Sequence, residues 1–340
     1  RRVLFRSHAT GNFGALALNV IRDPAMIKYL DNDQSRRGRP NENLARELLE
    51  LFILGEGNGY TEADIKQGAR ALTGYTFEDD DFVYREGNHD GAPKEIFGKK
   101  GNWNGDDFAR MALEKPAASE FLCGKLYRFF VNDTPAAELP PEARAAREAF
   151  VRSLAKELRE NQYELKPVLG AMFRSAHFHH ASNRAATIKS PAQVVVQTIR
   201  QFNTPPRQLS ALAGACDLMG QDLFQPPNVK GWDGGRAWIN TSTLFVRQNV
   251  AVYLLTGKRP DVYDWEVDDA RFDPVPLVEG ASNPEAVADR LLSAALAAPP
   301  RPERRQAIVE FLYSQSAASE HARTVAALAL VTALPEYQLA

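Results

Sequence analysis

Three stretches of this chain hold polar side chains at spacings that could do chemistry. The run from Asn41 to Leu54 has helical periodicity and places Glu42, Arg46 and Glu50 at i, i+4 and i+8, with Glu47 on the adjacent edge. Two carboxylates beside a guanidinium could exchange a proton with a substrate or hold a cation. The same stripe also reads as a solvated face laced by i,i+4 ion pairs, each worth about 0.3–0.5 kcal/mol. His89 and Asp90 fall in a polar loop with Lys94 nearby. A loop imidazole is available as a base or a ligand, and the competing reading is a turn in which Asp90-Gly91 closes a hairpin. The densest feature is Pro226–Thr241, which holds Trp232 and Trp238, two of only four tryptophans, together with Lys230, Asp233, Arg236 and Asn240; Arg247 follows shortly after. Indole faces beside hydrogen-bonding groups suit a sugar ring. The alternative is a tight structural loop pinned by two core tryptophans, its glycines chosen for backbone freedom.

Two further stretches have spacings that a metal site could use. Asp31, Asp33, Ser35 and Glu42 occupy positions 1, 3, 5 and 12 of a twelve-residue window, as in a calcium loop. Arg36 stands where that loop needs glycine, and Arg37 and Arg39 bring further positive charge, so calcium is a weak reading and no resident cofactor is expected. His177, His179 and His180 form a local cluster without a nearby cysteine or carboxylate, which favours a surface loop over a transition-metal site. The two cysteines, Cys123 and Cys216, sit in separate helical patterns and read as buried small apolar residues.

The elements that must position these groups are mostly helices. A helix is expected around Leu16, a break at Asp23-Pro24, a second short helix, and then the 41–54 helix stopped by Gly55. Thr61 with Asp64 three residues on predicts a capped helix ending near Gly74. Between Gly74 and Trp103 the β-formers Tyr75, Phe77, Phe82, Val83, Tyr84, Ile96 and Phe97 are spaced by Asp, Gly and Asn, predicting a small antiparallel hairpin or sheet. Asp106 is a candidate cap for the following helix, and another runs from Ala117 to Val131. Beyond Pro140, helices are predicted near 141–160, 165–175, 190–202, 206–219, 242–255, 283–298, 302–315 and 319–333. Ser190-Pro191 is a strong start signal, and Gln221–Ile239 and 260–280 read as irregular. The fold class is therefore mostly α: one multi-helix globular domain over residues 8–340, with a C-terminal helical extension at 281–340.

The 340 residues are 44% hydrophobic and 25% charged with a formal net charge of −2, so no basic excess argues for a nucleic acid partner. No apolar run reaches the ~18 residues of a transmembrane helix. The chain starts without Met and inside a helical pattern, and Arg1–Ser7 reads as a leader foreign to the rest.

Three motifs in order carry a family resemblance. They are Asn41–Leu51 with Gly59–Asp64 and Ala71–Tyr75; Asn88–Gly91 running into Gly101–Asp107; and Pro226–Thr241. The chain from residue 8 onward resembles the bacterial family known as domain of unknown function 1800. That resemblance implies export to the periplasm or cell envelope and a gene neighbour encoding an exported sulfatase-like protein. It implies no catalytic residues. Family members frequently carry His where this chain has Phe52, and an aromatic and an acidic residue where it has His179 and His180.

The 41–54 helix, the 88–94 loop and the 226–247 segment are expected to converge on one cleft. Two functions fit such a cleft. One is a non-catalytic envelope binding or scaffold protein acting with a sulfatase-like partner or a glycan. The other is an exported hydrolase using Glu42, Glu47, His89 and Asp90 for acid–base work, with Arg46, Lys230, Trp232, Trp238, Asn240 and Arg247 holding an anionic or glycan substrate.

Overall fold

Eight of the sixteen described α-helices start at a residue whose side chain caps them, as seen in a computed structural model that describes residues 2–340. The described residues form sixteen α-helices and two small antiparallel sheets. They divide into two compact units, the first running to Phe129 and including Ala136–His179, the second comprising Phe130–Pro135 and His180–Ala340.

In the first unit, α1 (Arg2–His8), α2 (Phe13–Val20), α3 (Pro24–Tyr29) and α4 (Asn43–Glu47) come first. Asn12 and Asp23 cap α2 and α3. The expected 41–54 helix is present but changes character: after α4 the chain continues as a π-helix, Leu48–Ile53. Leu54 N donates to Leu49 O at 2.9 Å, the i→i−5 bond that defines the wider turn. Gly55 N donates to that same carbonyl, and Lys125 Nζ donates to Leu51 O at 2.7 Å. Helix α5 (Glu62–Ala71) opens with the expected Thr61–Asp64 capping box.

Strands β1 (Tyr75–Glu78) and β2 (Asp81–Tyr84) pair Tyr75 with Tyr84, and β3 (Lys94–Ile96) and β4 (Lys99–Gly101) pair Lys94 with Gly101. Phe97 and Gly98, both at positive φ, close the second hairpin. Asp90-Gly91 closes neither hairpin; it lies in the connection between them. Helix α6 (Gly105–Leu113) is capped by Asn104 with Asp107, not by Asp106. A capping box joins residues three apart, and that spacing leaves Asp106 free to turn inward. There it accepts from the Tyr75 hydroxyl at 2.9 Å and pairs with Arg22. Helices α7 (Pro116–Phe130), α8 (Pro141–Glu160) and α9 (Leu165–Arg174) complete the unit. Its core is built on Leu44, Leu48, Ile65, Leu72 and Phe108.

The second unit contains α10 (Pro191–Phe202), α11 (Leu209–Leu218), α12 (Thr241–Thr256), α13 (Val275–Val278), α14 (Pro284–Ala295), α15 (Pro302–Ser314) and α16 (Glu320–Ala333). Ser190 caps α10 with Pro191 in its first turn, as its sequence predicts. One core cluster centres on Leu212, Met219, Val250 and Trp265, another on Leu291, Ile308, Leu328 and Tyr337. Both cysteines are buried and free. No described helix is long and apolar enough to cross a membrane.

Gly68 in α5 tests how closely the first core is fitted. A Cβ there would lie 2.7 Å from the Cε1 and Cε2 of Phe108, which is fully buried. Gly→Ala in a helix gains about 1 kcal/mol of propensity, whereas overpacking a core costs roughly 1–3 kcal/mol. Gly68→Ala is expected to destabilise the protein by up to about 2 kcal/mol in urea unfolding; a stabilised variant would mean the Phe108 ring has room to move.

Candidate functional site

The polar stripe of α4 closes on itself. Arg46 Nη2 donates to Glu42 Oε2 and Nη1 to Glu50 Oε1, both at 3.3 Å. Its shortest bonds go to a residue the spacing did not reveal: Glu62, in the first turn of α5, receives Nη1 and Nη2 on its two oxygens at 2.8 Å each. This two-point pairing holds Glu62 below the usual carboxylate range and pushes the Arg46 guanidinium up. Glu47 is half-buried on the neighbouring edge and is not without a partner. In this arrangement Arg46 joins α4 to α5, which is the ion-pair reading of the stripe.

The 88–94 loop is wired in a similar way. The His89 ring donates from Nδ1 to Thr73 O at 2.9 Å, since a carbonyl can only accept, and it leans on the Tyr84 ring at 5.5 Å. The Asp90 carboxylate turns to Arg70 Nε at 2.6 Å and to Ala92 N at 3.1 Å, while Asp90 N donates to Thr73 Oγ1. His89 and Asp90 thus turn their side chains to different partners. The Arg70 hydrogen bond holds the Asp90 carboxyl below its ordinary range. Lys94 is buried; its ammonium donates to the carbonyls of Asp90 and Ala92, and burial pulls its pKa down.

Of the calcium-loop candidates, Asp33, Ser35 and Glu42 engage other side chains or main chain, and Asp31 is bonded through its carbonyl. The Asp31 carbonyl accepts from Asn41 Nδ2, Asp33 pairs with Lys28 at 3.3 Å, Ser35 Oγ accepts from Asn41 N, and Glu42 goes to Arg46. His177 stacks on Phe150 at 4.4 Å and bonds the Tyr127 hydroxyl, His179 bonds Phe173 O, and His180 caps the short 3-10 turn Ala181–Asn183. Among the described residues no group of three His, Cys, Asp or Glu side chains could hold a metal ion.

The 226–247 segment belongs to the second unit and separates into frame and surface. Trp238 is buried at the end of a 3-10 turn, Gly235–Trp238. Asn240 caps α12 in a box with Thr243, whose hydroxyl also donates to Trp238 O at 2.9 Å. Arg247 is 2% exposed and lies in the interior, its Nη2 bonded to Lys189 O at 2.8 Å and its Nη1 to Gln338 Oε1 at 3.2 Å. Of the six residues expected to bind substrate, Lys230, Trp232 and Asn240 keep surface exposure in this segment, Asn240 with its Oδ1 engaged in the α12 cap. Beside them are Leu223, Val229 and Phe224, the last 82% exposed and at positive φ. A Phe followed closely by Pro226-Pro227 in a polar loop was the available signal. Asp217, Leu218 and Gly220 face Asn240–Thr243 across a shallow recess of about 600 Å³.

Fold and site together define a mostly helical protein whose charged motifs are engaged within the structure and whose 221–233 loop lies largely at the surface. The chain belongs to the family described as protein of unknown function (DUF1800), whose model matches residues 1–339. No curated protein and no solved structure matches it.

Asp90→Asn removes the charge facing Arg70 and is expected to cost about 1–3 kcal/mol at pH 7. Because the folded carboxyl titrates below the ordinary 3.8, its stabilisation is complete above that value and fades as pH falls through the folded pKa. In denaturant titrations the gap between the two proteins should therefore hold down to about pH 4 and shrink as the pH is lowered further; a gap independent of pH would remove the ion pair as its cause.

Proposed function

We propose that this protein acts by binding and not by turnover, as an exported cell-envelope scaffold whose contact surface is the 221–233 loop and whose partner is an exported sulfatase-like protein. The observation that carries this reading is the contrast between the two sets of candidate residues. Glu42, Arg46, His89 and Asp90 spend their hydrogen bonds on holding elements of the first unit together. On the 221–233 loop, Leu223, Phe224, Val229 and Lys230 are exposed and Trp232 is half-exposed, on a backbone fixed by buried Trp238 and the α12 cap. An aromatic and a cation raised on a fixed frame are the usual ingredients of a binding hot spot, since little freedom is lost on contact. Loops set on rigid scaffolds are also where contact residues concentrate. The same side chains suit a sugar ring, so a glycan borne by the partner fits this surface too.

The test is co-purification from the native host and affinity measurement with the exported sulfatase-like protein that the family resemblance implies as its gene neighbour. Trp232→Ala and Leu223→Ser should weaken the complex at least ~10-fold with unchanged melting, and Glu47→Gln should leave it intact. Turnover on a panel of sulfated or phosphorylated glycans that disappears in Glu47→Gln would replace this reading with a hydrolase.

A further inference from the structure

The first unit sets three arginines on one tight turn and pairs none of them with an acid. Arg36 and Arg39 face each other across the turn, Arg39 N donating to Arg36 O at 2.8 Å and Arg36 N to Arg39 O at 3.3 Å. Arg37 and Gly38 form the corner, and Gly38 at φ +82° supplies the positive φ that a type II turn needs. Residues opposed in this way project to one face with their Cβ atoms about 5 Å apart, where like charges repel. All three arginines are exposed, and among the described residues none makes a side-chain hydrogen bond or an ion pair. Exposed Asp31, and Glu86 on the neighbouring segment, do not pair with them either. Elsewhere the chain behaves differently: Arg46 meets three carboxylates and Arg305 meets Asp289. The turn is also pinned on both flanks. Arg37 N donates to Asn88 O at 2.7 Å, Gly74 N to Ser35 O at 3.2 Å, and Asn41 N to Ser35 Oγ at 3.1 Å. Buried Asn32 ties the residues before it to Leu72 O and Tyr75 O. Arg85 N donates in turn to Gly74 O at 2.8 Å, so the turn lies against the 84–89 segment, where the Tyr84 ring is 42% exposed.

We propose that the Arg36–Arg39 turn binds sulfate or phosphate ester groups of an anionic polysaccharide, independently of the 221–233 loop of the second unit. Each guanidinium offers an unused two-point edge, the geometry that tetrahedral oxyanions accept. Two such edges leave one face of a turn whose backbone is already fixed, so an anion relieves their repulsion with little left to order. The exposed Tyr84 ring nearby gives a sugar an apolar face to lie on. Two other polyanions fit less well. Residues 34–41 include no large apolar side chain to enter a bilayer, and a net charge of −2 disfavours a nucleic acid.

The test uses dextran sulfate as the probe and the full chain. The chain should bind dextran sulfate at low salt, lose it as salt rises, and ignore uncharged dextran. Arg36→Ala combined with Arg39→Ala should weaken binding at least ~10-fold with unchanged melting. Arg200→Ala combined with Arg301→Ala, an equal change of charge at two exposed arginines of the second unit, should leave it intact. In the unaltered chain dextran sulfate should protect Arg36 and Arg39 from modification by phenylglyoxal, read by mass spectrometry. Absence of binding, equal weakening by the two pairs, or full modification of Arg36 and Arg39 in the complex would each overturn the proposal. Tighter binding to phosphatidylglycerol vesicles or to single-stranded DNA than to dextran sulfate would overturn it too. The protection measurement needs no variant, so it decides even if one fails to fold.

Discussion

Main-chain carbonyls that lie outside regular ladders must find donors, and in this protein lysine and arginine side chains supply them. Arg207 is the fullest case. Its guanidinium is buried and donates to Leu254 O from both Nε and Nη2, and from Nη1 to Asp268 O and Ala270 O. One side chain thereby closes the C-terminus of α12 and anchors the irregular stretch that follows. The chain turns at Gly257, at φ +70°, where a side chain would collide with Asp268. Hydrogen bonds from a charged donor contribute about 1.5–3 kcal/mol each, and a planar five-donor fork is pre-organised to make several at once. Lys94 on Asp90 and Ala92, Lys125 on Leu51, and Lys189 on Tyr337 repeat the solution at smaller scale.

This constraint shapes what the protein can do. Arg46 and Asp90 are drawn into ion pairs between elements, and Arg247 into a bond to the main chain. The bracing also gives something back. Trp238 and the Asn240 cap fix the foot of the 221–239 loop, so the side chains above it are presented on a backbone that need not be ordered on contact. The π-turn after α4 belongs to the same economy of carbonyls: the wider turn leaves Leu51 O to Lys125.

Much of this was legible in the sequence because capping is local. Thr61 with Asp64, and Ser190-Pro191, announce α5 and α10 in a few adjacent residues, and the helices appear there. Where two caps compete, spacing decides: Asn104 with Asp107 forms the box and Asp106 goes inward. The π-turn was not legible, since Leu48, Leu51 and Phe52 satisfy a 3.6-residue period as well as a wider one. Nor was the Arg46–Glu62 pairing, which spans sixteen residues and a Gly-rich turn. The deepest gap concerns acceptors. A sequence shows where a lysine or arginine is but not which carbonyl lacks a donor, so Arg247 reads as a ligand-binding residue when it is an interior one. The 41–54 helix and the 88–94 loop lie in the first unit and the 226–247 segment in the second, a division that no composition shift in the chain announces.

The most direct measurement is amide hydrogen exchange on Arg207→Lys, which keeps the charge and discards the fork. If buried cations hold the irregular backbone, amides of 257–270 lose most of their protection while those of α5 and α6 in the first unit keep theirs. Unchanged protection across 257–270 in that variant would contradict the account, because a single ammonium cannot reach the three carbonyls that the guanidinium serves.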